Sequence, residues 1–222
     1  MRKNNKGFSL VELIIVMAIL AILAAVIGLA IIRYLEKSRQ AMDVYNATLI
    51  KDALNVYPFP SDYQGREVEF TDPNTNETET YKRGWVYVDG SEIRCSDQST
   101  ALALIYAGLV SVSPETEARI ANNEESSTKW FPSGPEYDYY RQSGIGEYVF
   151  KNDLRVRART TWNTYQLDVY VDTDGEIHLG ASASNENRVS ASGHSRDSET
   201  ATLFASKLGL DGSRNTPLGN QY

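Results

Sequence analysis

The sequence predicts an α+β fold in which one long N-terminal helix, half apolar and half amphipathic, packs on an antiparallel β-sheet. Three observations predict it. The run from Leu13 to Ile32 is uninterruptedly apolar, the helical pattern then continues without a break to "YPFP" at 57–60, and residues 147–182 alternate in segments joined by turn residues.

The apolar run is 20 residues long, and at about 1.5 Å per residue it matches a hydrocarbon core of about 30 Å. It is too long for the apolar part of a secretory signal peptide, and no small-residue cleavage site follows it directly. Between Phe8 and Ile32 the only charge is Glu12. An acidic side chain at the centre of a membrane helix costs about 2.5–3.5 kcal/mol. Glu12 lies in the first helical turn instead, where unpaired backbone amides favour negative charge.

Beyond Ile32, the residues Leu35, Met42, Tyr45, Leu49, Ala53 and Val56 recur at helical spacing and are expected to form the stripe that faces a soluble domain. No proline precedes Pro58; prolines there stop the helix because they lack an amide donor and restrict the residue before them. Phe8 to Val56 is thus expected to be one helix of roughly 70 Å.

Residues 61–98, with "TDPNTNETET", read as a polar loop in which "GWVYVDG" supplies a short strand. "STALALIYAGLV" has helical spacing, and "SPETEARIA" is a second short helix with Ser113 as cap and Pro114 at the first position. "EYVFK", "LRVRARTTW", "TYQLDVYVD" and "GEIHLGAS" read as strands, the last two joined by the hairpin signal Asp174-Gly175. "SASNENRVSASGHSRDS" reads as a polar loop and "ETATLFASKLGL" as a closing helix.

Charge sets orientation and narrows the partners. Arg2, Lys3 and Lys6 precede the apolar run and favour a cytoplasmic N-terminus. Setting them and Glu12 aside leaves 19 of the 22 basic and 28 of the 29 acidic residues, a net charge of −9 for the exported part. Such a surface repels phosphate backbones, so no nucleic acid is expected as a partner. Cys95 is the sole cysteine, which excludes an internal disulfide.

The opening segment then shows a pattern: a short basic leader ending in Gly7, followed by Phe8, Ser9, Leu10, Val11, Glu12 and the apolar run. This resembles the class III signal of type IV pilins and pseudopilins. The resemblance implies a pilin-like fold, cleavage between Gly7 and Phe8 by a prepilin peptidase, and N-methylation of the new Phe8 amine. It implies that Glu12 pairs with the Phe8 amine of a neighbouring subunit as the apolar helices bundle. Ser9 either adds a hydroxyl near that pair or is simply a small residue tolerated at a helix start. The chain divides accordingly into a leader at 1–7, a membrane and filament-core helix at 8–32, its amphipathic continuation at 33–56 and a head at 57–222. Storage is expected in the cytoplasmic membrane, single-pass with the N-terminus inside and with membrane lipid as the first partner. An inner-membrane platform and motor then assemble the subunit into a helical homo-polymer at the cell surface. Two departures from the family stand out: no proline loosens the apolar helix, where Gly28 is the weak point, and no disulfide closes a C-terminal loop.

Other candidate chemistry is thin. "DVYVDTDGEIHL" carries Asp168, Asp172, Asp174 and Glu176, and the spacing of Asp172 and Asp174 partly imitates a calcium loop but lacks the later ligands, so no metal or other cofactor is expected. "SGHSRDS" has hydrolase residue types without a nucleophile elbow, and no catalytic residue is assigned. Arg155, Arg157 and Arg159 are expected on one strand face, as a solvated face, as partners for acidic neighbours or as a ligand-binding set. The readings carried forward are a pilus subunit, a pseudopilin of a type II secretion or DNA-uptake system, and a membrane-anchored binding protein or enzyme.

Overall fold

The computed structural model describes residues 9–71, 75–90, 92–122, 139–141, 148–151, 154, 156–184 and 198–210. Helix α1 runs unbroken over Leu10–Val56, 47 residues. Ser9 caps it and Tyr57 ends it in an extended conformation, as a residue before proline prefers. Phe8, the expected first residue of the helix, lies outside the described residues.

After α1 come β1 (Arg66–Thr71), β2 (Thr78–Val88), β3 (Glu92–Cys95), α2 (Gln98–Tyr106), α3 (Pro114–Ala121), β4 (Tyr139–Arg141), β5 (Tyr148–Lys151), β6 (Thr164–Val171), β7 (Ile177–Ser184) and α4 (Ser198–Lys207). The strands form one sheet in the order β4-β5-β3-β2-β6-β7, with β1 also paired to β2, and every described pairing is antiparallel. The fold is therefore a long N-terminal helix followed by an antiparallel sheet, the α+β arrangement expected from sequence.

One sheet face carries the core. Val86, Ile93, Phe150, Tyr165, Leu167 and Ala181 meet Ala47, Ile50 and Leu54 of α1, Leu104 of α2 and Phe204 of α4. Strand β6 is buried along all eight residues, so its sequence alternation separates two covered faces. Tyr165 and Leu167 belong to the core, whereas Gln166 and Asp168 form a polar group with Arg83 of β2.

Three expectations fail. Residues 61–98 are not mainly loop: β1 and β2 form a hairpin, with Arg66 opposite Arg83 and Thr71 opposite Thr78. Its strands are polar because β1 is largely exposed, and the aromatic contacts of Phe70 with Tyr81 and Tyr170 hold it. "LRVRARTTW" is not a strand; residues 156–163 are irregular, because their amides are taken by side chains of α1. The stripe of α1 that faces the head is Asp43, Asn46, Ala47, Ile50, Ala53 and Leu54, whereas Leu35, Met42, Tyr45 and Val56 are exposed and Leu49 is half-buried. Of the expected stripe only Ala53 is buried.

Candidate functional site

The first turn of α1 is built by a reciprocal pair. The Ser9 side chain accepts from the amide of Val11 at 3.3 Å, and the Ser9 amide donates to Glu12 Oε2 at 2.9 Å, which makes a capping box. Two otherwise unpartnered amides of the helix start are thereby satisfied. Ser9 is thus a small residue at the helix start with a specific role, the cap of α1. The missed signal was the S-x-x-E spacing before an apolar run. Glu12 uses one oxygen for the cap, and its second oxygen accepts no hydrogen bond among the described residues. Gly7 lies outside the described residues, as Phe8 does.

The large apolar side chains described between Leu10 and Ile32 are 46–75% exposed. This is one helix long and apolar enough to cross a membrane, and none of that stretch is buried against the rest of the chain.

The head holds the next part of α1 through carboxylates. Glu36 Oε1 accepts from the amides of Arg159 and Thr160, each at 3.0 Å. One turn on, Gln40 Nε2 donates to Thr161 Oγ1 at 2.5 Å. Asp43, wholly buried, accepts from the amides of Arg157 and Ala158 at 2.7 and 2.8 Å and from Trp162 Nε1 at 2.9 Å. Lys51 Nζ then donates to the Leu208 carbonyl at 2.9 Å. Residues 36, 40 and 43 share one helix face, so a straight row of side chains clasps a segment more than a hundred positions away. Burial raises Asp43 above the ordinary carboxylate value, and the Ala158 and Arg157 amides and the Trp162 indole offset this only in part. Burial also pushes Glu36 upward, but the Thr160 and Arg159 amides outweigh it and hold Glu36 below its ordinary value.

The acidic turn is described as well. Asp172 Oδ1 accepts from the amides of Asp174 and Glu176, and Gly175 takes φ +85, a conformation that favours glycine. Asp172, Glu176 and His178 bring ligand atoms within 4.8 Å of one another, with His178 Nε2 3.4 Å from Asp172 Oδ2. Two amides and the imidazole already account for the Asp172 carboxylate. Asp168, grouped with this turn in sequence, is instead buried and bonded to Arg83 at 2.7 Å. Arg157 and Arg159 are exposed on the clasped segment, while Arg155 and "SGHSRDS" fall outside the described residues, apart from the backbone of the last serine at the start of α4.

Residues 2–28 match the family model of the prokaryotic N-terminal methylation motif. The chain therefore carries the class III signal of type IV pilins and pseudopilins, and its N-terminal segment is that of a pilin-type precursor. The match ends within the apolar run, and the head lies beyond it. No curated protein and no solved structure matches the chain.

Proposed function

We propose that this chain is the precursor of a type IV pilus structural subunit and not an enzyme. Residues 1–7 are the leader, removed by prepilin peptidase between Gly7 and Phe8, after which the Phe8 amine is methylated. Residues 8–32 span the cytoplasmic membrane with the N-terminus inside until a platform and motor move the subunit into a helical homo-polymer on the cell surface. Residues 57–222 are the head. In the polymer the free oxygen of Glu12 meets the Phe8 ammonium of a neighbouring copy, and Ser9 keeps the helix start in place beside it. Pairing of two buried charges offsets their desolvation and fixes axial register.

One observation carries the reading: the methylation motif at 2–28 opens a helix whose apolar half is not buried in its own chain at any described side chain. A helix apolar all round needs lipid or other helices, and membrane storage followed by bundling supplies each in turn. The test is the mass of the N-terminal peptide from surface-sheared material. An N-methylated peptide beginning at Phe8 is expected; an intact Met1 start on cells without filaments overturns the proposal. The same motif serves pseudopilins, so a processed Phe8 terminus on cells that never display filaments assigns the chain to a secretion or uptake pseudopilus.

A further inference from the structure

The clasp on α1 has a second effect. It carries Arg157 and Arg159, about 120 positions from the helix in sequence, back to the level of Glu36 and Asp43. Arg33, Lys37 and Arg39 lie on that same stretch of helix, directly after the apolar run. By helical rise Arg33 sits about 1.5 Å, Lys37 about 7.5 Å and Arg39 about 10 Å beyond Ile32. The headgroup layer on each side of a bilayer is about 5–8 Å thick, and long basic side chains reach several ångströms along the axis.

The local carboxylates are occupied. Glu36 takes two amides and lies 3.8 Å from Arg39, and Asp43 is enclosed by three donors. Arg33, Lys37, Arg157 and Arg159 form no salt bridge among the described residues; Arg157 lends its charge to Asp43 at longer range. Tyr34, 74% exposed, stands between Arg33 and Lys37 in the chain, the residue type enriched at a membrane interface. Five cations against two occupied carboxylates thus ring the membrane end of an exported part whose net charge is −9.

We propose that Arg33, Lys37, Arg39, Arg157 and Arg159 form a basic collar that binds the phosphates of anionic lipid headgroups at the outer face of the membrane while the subunit is stored there. The proposal rests on the membrane reading above and adds a lipid class to it. Lipid is favoured over duplex nucleic acid because Arg33, Lys37 and Arg159, the last level with Glu36 about 6 Å beyond Ile32, lie at headgroup depth with Arg39 and Arg157 farther out behind them, and because the acidic head repels a long phosphate backbone approaching from solvent. Both Arg157 and Arg159 hold the helix through backbone amides, so their side chains are left for the collar.

The test uses the full chain with Tyr34→Trp as a depth reporter, reconstituted into phosphatidylcholine vesicles doped with brominated phosphatidylglycerol or brominated phosphatidylcholine at equal fraction. The chain without the reporter serves as blank. Expected is stronger quenching by the brominated phosphatidylglycerol. That preference should fall about fivefold in Arg159→Gln, fall less in Arg157→Gln, which stands farther out, fade at high salt, and persist in the control Arg66→Gln on β1. Circular dichroism should show both glutamine variants folded. Equal quenching by the two lipids, in chains that float with the vesicles, overturns the collar. Loss of the preference on adding short duplex DNA overturns it in favour of a nucleic-acid surface. Failure to float with any vesicle overturns the membrane reading itself, and the collar with it.

Discussion

Glu12 has one observed role and one proposed role, and one pair of substitutions separates them. Its Oε2 closes the capping box with the Ser9 amide at 2.9 Å, and its other oxygen is the proposed partner of a neighbour's Phe8 ammonium. Glu12→Gln keeps an oxygen for the cap, since glutamine serves in capping boxes, but removes the counter-charge. Glu12→Ala removes both. The cap hydrogen bond contributes about 1 kcal/mol, a factor of about five in a local equilibrium. Stranding one member of a buried ion pair costs about 3–5 kcal/mol, which corresponds to about two to four orders of magnitude in subunit addition. Both variants should insert, being no more polar than wild type, and both should be cleaved at Gly7, because the junction is untouched. Neither should assemble well, and alanine should be only slightly worse than glutamine. The assay counts filaments by electron microscopy while an immunoblot follows cleavage. Wild-type filament numbers from Glu12→Gln alone would refute the ion pair and leave Glu12 as a helix cap.

Gly7→Leu should leave a full-length precursor in the membrane, because the residue before the cut must fit closely against a protease at the bilayer surface; release of a chain starting at Phe8 would remove that junction. In the exported portion from Arg33, Asp43→Ala strands two amides and the Trp162 indole. It should cost about 3 kcal/mol, or about 6–12 °C in a thermal melt; a smaller loss would mean that water replaces the carboxylate. The same portion should show opposed acid responses. Glu36 is held below its ordinary value of 4.5 and adds stability that is complete above that pH and lost as pH falls through the lowered value. Asp43 is raised above its ordinary value of 3.8, so its contribution is fullest below that pH and declines as pH rises toward the raised value. Melts of Glu36→Gln and Asp43→Asn between about pH 2 and 6 should each lose one of these slopes, and parallel profiles would refute the assignment. Reductant should leave the melting temperature unchanged, since Cys95 is buried and the sole cysteine; a large drop would reveal a bond between chains.

The sequence shows most clearly what depends on neighbouring residues. Helix α1, its stop before Pro58, the Ser113 cap with Pro114 behind it and the Asp174-Gly175 turn all follow from local backbone chemistry, and each stands where the pattern puts it. The failures come from distant partners. "RVRAR" alternates like a strand, but Asp43 and Glu36 supply acceptors for its amides from the side, so the segment has no need of a strand neighbour. Strand β1 is polar because it lies at an edge, and its place depends on aromatic rings from β2 and β6. Of the candidate site, the methylation motif is legible because it is one linear stretch of neighbouring residues. The basic collar is not, because its two halves meet only after the head has folded back on the helix.

The inverted stripe on α1 is the most informative of these failures. At 100° per residue, Tyr34, Tyr45 and Val56 lie within about 40° of one another, while Asp43 is half a turn away from Tyr34. The first three are 74%, 59% and 80% exposed, and Asp43 is wholly buried. Between Glu36 and Asn46 the helix therefore turns Glu36, Asp43 and Asn46 inward and leaves Met42 and Tyr45 exposed beside Lys37 and Ser38, unlike a surface helix that buries only its apolar stripe. The head needs a specific hold on a helix that is apolar for its first half, and hydrogen bonds from Glu36, Gln40 and Asp43 give one that lipid-facing residues cannot imitate. The outward side chains are not a continuous apolar seam: exposed Asp52 lies in line with Tyr34, and Lys37 and Ser38 are exposed on the same side. Under the proposed function, Tyr34, Met42, Tyr45 and Val56 are therefore separate apolar contact points for neighbouring subunits, spaced among polar residues that fix which contacts a neighbour can make.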